Sequence, residues 1–150
     1  MNKQQLANKI WASANKMRSK IEANEYKDYI LGFIFYKFLS EQEVRFAKEN
    51  DLTDLTQLRE EDVPTVNWVQ NNLGYFIAYD NLYSTWTSKD FDFQIANVRD
   101  ALFAFTRLIS PTHKKVFSGI FDTLQTGLKK LGTSDAEQTR AVSDLLSLIK

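Results

Sequence analysis

Residues 29–39 read YILGFIFYKFL, with nine apolar or aromatic side chains in eleven positions. At 100° per residue these nine spread around the whole helical wheel. A helix that is apolar on every side belongs in the centre of a bundle. The stretch therefore predicts a central helix running from about residue 25 to 49. Ile30, Ile34, Phe35 and Phe38 are expected in its core, and Gly32 is expected to permit close helix contact. After Ser40 the polar residues return as Glu41, Gln42, Glu43, Arg45, Lys48 and Glu49.

Upstream, residues 3–22 have the period of an amphipathic helix. Leu6, Ile10, Ala14, Met17 and Ile21 recur at steps of four and three and fall within roughly an 80° sector. Lys9, Lys16 and Lys20 form a narrower stripe beside them, with Trp11 and Arg18 on the other side. Leu6, Ile10, Trp11 and Met17 are the expected core residues here. Glu22-Ala23-Asn24 reads as a break, and Asn24 suits a helix N-cap.

Downstream, residues 50–63 read as an acidic loop with one helical turn. Pro64 suits the first turn of a helix reaching about Asn72, and Gly74 suits its C-terminal cap. Residues 75–86 (YFIAYDNLYSTW) have the composition of a short strand or hairpin. Tyr75, Phe76, Tyr79, Tyr83 and Trp86 within it read either as core or as a surface for a partner chain. Helical spacing returns in residues 93–109 through Ile95, Val98, Leu102, Phe105 and Ile109, and Pro111 ends it. Residues 112–131 read as a broken helix or helical turn, on account of Gly119, Gly127 and Gly132. Ser134 with Glu137 forms a capping-box pattern ahead of a last helix carrying Val142, Leu145, Leu146 and Ile149. The expected fold is a mainly α helical bundle in one domain, residues 1–150, with one short strand or hairpin near 75–86. The last helix is still apolar at Lys150, so the natural chain is expected to continue.

Composition narrows the function classes. In 150 residues there are eleven Phe, five Gly, two Pro, one His and no Cys. Without cysteine, neither a disulfide nor a thiolate metal site can form. A single histidine, His113, argues against the usual zinc sites. The longest apolar stretch is too short to span a bilayer, and the start has no secretory apolar core. A cytoplasmic protein is expected. Net charge is zero but uneven. Residues 1–20 hold five basic residues (Lys3, Lys9, Lys16, Arg18, Lys20) and no acid, whereas residues 51–110 hold four basic residues and nine acids. A neutral total argues against a stand-alone nucleic-acid binder and leaves room for a local contact through one basic face. Lys9, Lys16, Arg18 and Lys20 are the candidate DNA or subunit contacts. Their plainer reading is a solvated helix face.

The compact motifs of nucleotide chemistry are missing. The glycines at 32, 74, 119, 127 and 132 are never closer than five residues, which excludes a GxGxxG turn and a phosphate-binding P-loop. Both prolines, Pro64 and Pro111, stand alone, so no (N/D)PP(Y/F) base-docking motif exists. Asp90-x-Asp92 and Glu60-Glu61-Asp62 read as loop acids beside helix starts. Ser13, Ser40 and Ser118 have no base partner at recognisable spacing. No catalytic, cofactor-binding or metal-ligating residue is expected in this chain.

Residues 6–42 nonetheless form a recognisable pattern. Leu6 and Trp11 come first, then Asn15, Lys16 and Arg18. Glu25, Tyr26, Lys27, Asp28, Leu31, Gly32, Phe35, Lys37, Leu39 and Ser40 follow at fixed spacing. This resembles the opening of the modification (HsdM-like) subunits of type I restriction–modification DNA methyltransferases. A weaker likeness continues through Leu73–Ile77 and Ile120–Asp122. Asn15 departs from the pattern, which usually has Asp there. The resemblance implies a helical N-terminal domain ahead of an S-adenosylmethionine-dependent catalytic domain that would lie beyond residue 150. It implies N6-adenine methylation by the parent protein. It also implies assembly with a specificity subunit, a second modification subunit and a restriction subunit around double-stranded DNA. The family's catalytic residues lie downstream, so none maps onto this chain. The alternative is a free-standing helical interaction adaptor derived from the same domain.

Overall fold

A computed structural model of the chain describes residues 3–5, 8, 23–117 and 119–149. Its long helix α1 covers Ala23–Glu49, and the expected central helix is present. Helix α2 (Val63–Leu73) follows an N-cap at Asp62, whose carboxylate accepts from the Thr65 amide, and carries Pro64 in its first turn. Gly74 closes it at φ 91°, a left-handed conformation that an L side chain adopts only at a cost. The other helices are α3 (Tyr83–Trp86), α4 (Ile95–Arg107), α5 (Lys114–Phe117), α6 (Asp122–Gly127) and α7 (Asp135–Ile149). Short 3-10 turns lie at Leu55–Gln57, Tyr79–Asn81, Pro111–His113 and Leu128–Leu131. The architecture is a mainly α bundle, with no strand among the described residues.

The expected strand or hairpin at 75–86 is therefore corrected. Residues 75–78 take no regular secondary structure and pair with no strand, and a 3-10 turn and the single-turn α3 follow. The reason is visible in the burial. Tyr75, Phe76 and Ile77 are all buried in succession, so this segment crosses the interior instead of alternating between core and water. Its backbone is held by side chains. The Ile77 amide donates to the Glu43 carboxylate at 2.8 Å, and the Tyr83 amide reaches Ser40 Oγ at 3.3 Å.

α1 packs against α3, α6 and α7, and α4 packs against α7. The contact with α6 depends on absent side chains. A Cβ on Gly32 would sit 3.1 Å from Leu124 Cδ2, and one on Gly127 would collide with the Tyr29 hydroxyl. That hydroxyl donates to the Gly127 carbonyl. An aromatic cluster fills the centre. Tyr36 stacks on Trp86 with ring centroids 5.1 Å apart and meets Phe105 and Phe121 edge-on. Tyr75 and Phe117 extend the cluster from the other side of Phe105. Edge-to-face and offset pairs of this kind add to the large area that each ring buries.

The expected apolar faces of α4 and α7 are buried as read: Ile95, Val98, Leu102 and Phe105 in one, Val142, Leu145, Leu146 and Ile149 in the other. In α1 the outcome divides. Ile30 is buried and Ile34 is half-buried against the core, but Phe35 and Phe38 are 39% and 55% exposed. Placing those two in the core is corrected. The buried stripe of α1 is Tyr29, Phe33, Tyr36, Ser40, Glu43 and Ala47, which recurs at steps of three and four and turns Phe35 and Phe38 outward. Leu6, Ile10, Trp11 and Met17, the other expected core residues, lie outside the described residues.

Candidate interaction surface

The outward side of α1 is the least ordinary surface of the domain. Leu31, Phe35 and Phe38 share it, and Leu31 is 51% exposed. The Phe35 and Phe38 rings lie 6.3 Å apart and nearly parallel, and Phe35 leans on Phe121 at 6.0 Å. Scattered surface apolars are ordinary, but adjacent large ones on one helix face mark contact sites. Towards the C-terminal end of α1, beside α3, lies a groove of about 460 Å³ lined by Ser40, Glu41, Val44, Arg45, Lys48 and Ser84. Lys37 spans the edge of this region. It pairs with Glu41 one turn on and holds its ammonium 5.9 Å from the centre of the Tyr83 ring.

The inward side of α1 contains a titratable group that hydrophobicity alone misplaces. Glu43 is expected with the returning polar residues, yet it is wholly buried. One oxygen accepts from the Ile77 amide, and Oε2 has no hydrogen-bond partner among the described residues. Burial pushes its carboxyl well above the usual carboxylate range, against which the Ile77 amide works only in part. The signal is present in the spacing, because Tyr36, Ser40, Glu43 and Ala47 continue the buried stripe. Glu43 holds the backbone at Ile77 and is not among the residues that line the groove beside α3.

Several other acids have structural partners. Glu60 pairs with Arg107, whose guanidinium holds the carboxyl below its ordinary range. Asp135 accepts from Arg99 at 2.8 Å and is lowered likewise, and Arg99 also reaches Gln138 Oε1. Asp62 caps α2, and Asp92 accepts from Gln94. Asp54 binds the Thr56 hydroxyl and amide, which lower its carboxyl. His113 hydrogen-bonds Thr112 and packs beside Phe117. Ser40 is buried and engaged by the Tyr83 amide. Among the described residues no group of three or more His, Asp or Glu side chains converges as a metal cage would.

The candidate contacts Lys9, Lys16, Arg18 and Lys20 lie outside the described residues. Of the five residues that read as core or as partner surface, Tyr75, Phe76, Tyr83 and Trp86 are buried and Tyr79 is half-buried against the core. Among the described residues no glycine-rich turn stands ready to cradle S-adenosylmethionine. Gly32 and Gly127 face helix contacts and Gly74 caps α2, so none of them lines a nucleotide cradle. No helix among the described residues is long and apolar enough to cross a membrane.

Comparison with known proteins bears on these observations. The chain is 24% identical to the methylase subunit of the type I restriction enzyme MpnII of Mycoplasma pneumoniae, over 94% of this chain and 29% of that protein. Its fold is that of part of the type I restriction–modification methyltransferase subunit from Streptococcus thermophilus. That crystal structure matches with a TM-score of 0.75 and 23% identity, over 99% of this chain and 34% of the other. The chain thus spans about a third or less of the length of these relatives. The family described as the HsdM N-terminal domain matches residues 6–149, through all of the helices above. Matched over residues 6–149, the chain belongs to the HsdM N-terminal domain family.

Proposed function

We propose that this domain serves the assembly of a type I restriction–modification methyltransferase and its closure around double-stranded DNA. The observation that carries this reading is the family match over residues 6–149, joined to relatives more than twice as long as this chain. Methyl transfer to adenine N6 belongs, on this reading, to an S-adenosylmethionine-dependent domain outside these 150 residues. The partners are a specificity subunit, a second modification subunit, a restriction subunit and DNA, in the cytoplasm. Lys9, Lys16, Arg18 and Lys20 supply the contact to phosphate or to a neighbouring subunit. Each phosphate neutralised steepens the salt dependence of binding.

The test replaces Lys9, Lys16 and Lys20 with Ala in the assembled complex. DNA affinity is expected to fall. The slope of log affinity against log salt should flatten by roughly 0.9 for each phosphate that is no longer neutralised. Unchanged affinity and slope would remove the basic stripe from the DNA interface. The isolated chain with labelled S-adenosylmethionine and target DNA is expected to transfer no methyl group, and measurable transfer would overturn the division of labour.

A further inference from the structure

Residues 75–83 cross the bundle with one 3-10 turn, Tyr79–Asn81, for internal support. They hang on α1 by side-chain bonds. The Ile77 amide donates to the Glu43 carboxyl, the Tyr83 amide donates to Ser40 Oγ, and Tyr36 donates its hydroxyl to the Asn81 carbonyl at 2.8 Å. Away from α1, the Tyr79 amide donates to the Leu58 carbonyl at 2.7 Å. The segment also walls two grooves. Ser84, just beyond it, lines the one beside α1. Ala78, Tyr79 and Asn81 line a second of about 490 Å³, together with Leu58 and Glu61. Glu43 is the one carboxyl among these anchors. It is wholly buried with Oε2 unpartnered among the described residues, and Trp86, at the end of α3, is buried with Nε1 unpartnered. Each orphaned atom carries a cost that water would relieve.

We propose that Glu43 is a proton-controlled latch on this segment. Neutral, it holds residues 75–83 against α1; on giving its proton to solvent it lets the segment swing out, admits water and loosens one wall of each groove. A carboxylate buried on a single amide bond costs far more than a neutral carboxyl. Among the described residues no charged group of α3, α6 or α7 acts on Glu43. The titratable groups coupled to it are the phenols of Tyr36 on α1 and Tyr75 on the segment itself. Burial raises both and a Glu43 charge raises them further, so neither offers a compensating charge. The segment yields first because the surrounding helices keep their own hydrogen-bond ladders. Burial raises the Glu43 carboxyl, so the closed form is fully favoured below the ordinary carboxylate range and loses that advantage as pH rises through the raised value.

Hydrogen exchange of the full chain, followed by NMR from about pH 4 to 8, tests the latch. Protection factors, which exclude the intrinsic pH dependence of exchange, are compared at Ile77, Tyr79 and Tyr83 and at Leu102 and Leu145 in α4 and α7. The first three should lie at least about tenfold below the other two, because the segment opens without the bundle unfolding. Their protection should fall about tenfold per pH unit between the ordinary and the raised value of Glu43, one proton being lost on opening, and then level off. Glu43→Gln keeps an acceptor at Ile77 and cannot ionise, so its protection at these amides should stay flat. Equal protection at all five amides would mean that only global unfolding exposes the segment, and overturns the proposal. Protection at 77–83 that ignores pH overturns it too, as does a Glu43→Gln protein with the wild-type slope. A second measurement stands without the variant. The infrared band of a protonated carboxyl should persist above the ordinary carboxylate range and vanish where protection levels off. A native chain with no such band above that range would also sink the latch.

Discussion

The two sides of α1 are made of the same kinds of residue and have opposite fates. Phe33 and Phe35 are two positions apart; Phe33 is 0% exposed and Phe35 39%. The inward row is gripped by α3, α6 and α7, and its polar members Ser40 and Glu43 hold the backbone of residues 77–83. Leu31 and Phe38, in the outward row, are each about half exposed. An all-round apolar helix thus declares how much surface it wants covered. It does not declare that one bundle will cover all of it.

The largest effect that could break this contrast is truncation of the two rows. Phe33→Ala should cost about 3–5 kcal/mol, because a filled site becomes a cavity. Phe38→Ala should cost about 1 kcal/mol, nearer a surface substitution. Urea unfolding of both variants checks the difference, and equal losses would abolish the distinction between the sides. Next in size is the close approach on the inward side. Gly127→Ala drives a methyl group into the Tyr29 hydroxyl and should cost about 1–3 kcal/mol by overpacking. If thermal melting were unmoved, α6 would not be seated on α1 as described.

The smallest effect depends on pH. The folded Glu43 carboxyl titrates above its ordinary value, so the neutral form is the one the fold favours. Stability from this group is complete below the ordinary carboxylate range and is lost as pH rises through the raised value. Glu43→Gln keeps an acceptor for the Ile77 amide and removes the charge. The variant should gain on the wild type as pH is raised from about 5 to 8, by melting temperature measured in parallel. A constant difference between the two proteins would show that Glu43 is already ionised in the fold.

Most of the bundle was legible because its signals are local. Pro64 and Gly74 bracket α2, and Ser134 accepts from the Glu137 amide at 3.2 Å where the capping pattern places it. The Glu137 carboxylate returns to the Thr133 amide, one residue ahead of the expected cap. What stayed hidden is tertiary. Composition at 75–86 suggests a strand, but a strand needs a neighbour to pair with, and consecutive burial took its place. Hydrophobicity puts Phe38 inside and Glu43 outside, whereas their burial follows from angular position about α1. The candidate site was legible only through resemblance. The match over residues 6–149 supports the family, and the basic stripe itself awaits the salt-dependence measurement.

The tyrosines give the domain an optical property. Tyr29, Tyr36, Tyr75 and Tyr83 each donate a hydroxyl to a backbone carbonyl, those of Gly127, Asn81, Leu39 and Leu146. Burial raises the last three phenols above their ordinary range. Burial resists ionisation of Tyr36, Tyr75 and Tyr83, so phenolate absorbance from these three rings is expected to follow the opening of the bundle. In strong alkali the share of phenolate absorbance contributed by Tyr36, Tyr75 and Tyr83 should appear together with the loss of helix, giving an unlabelled indicator of unfolding.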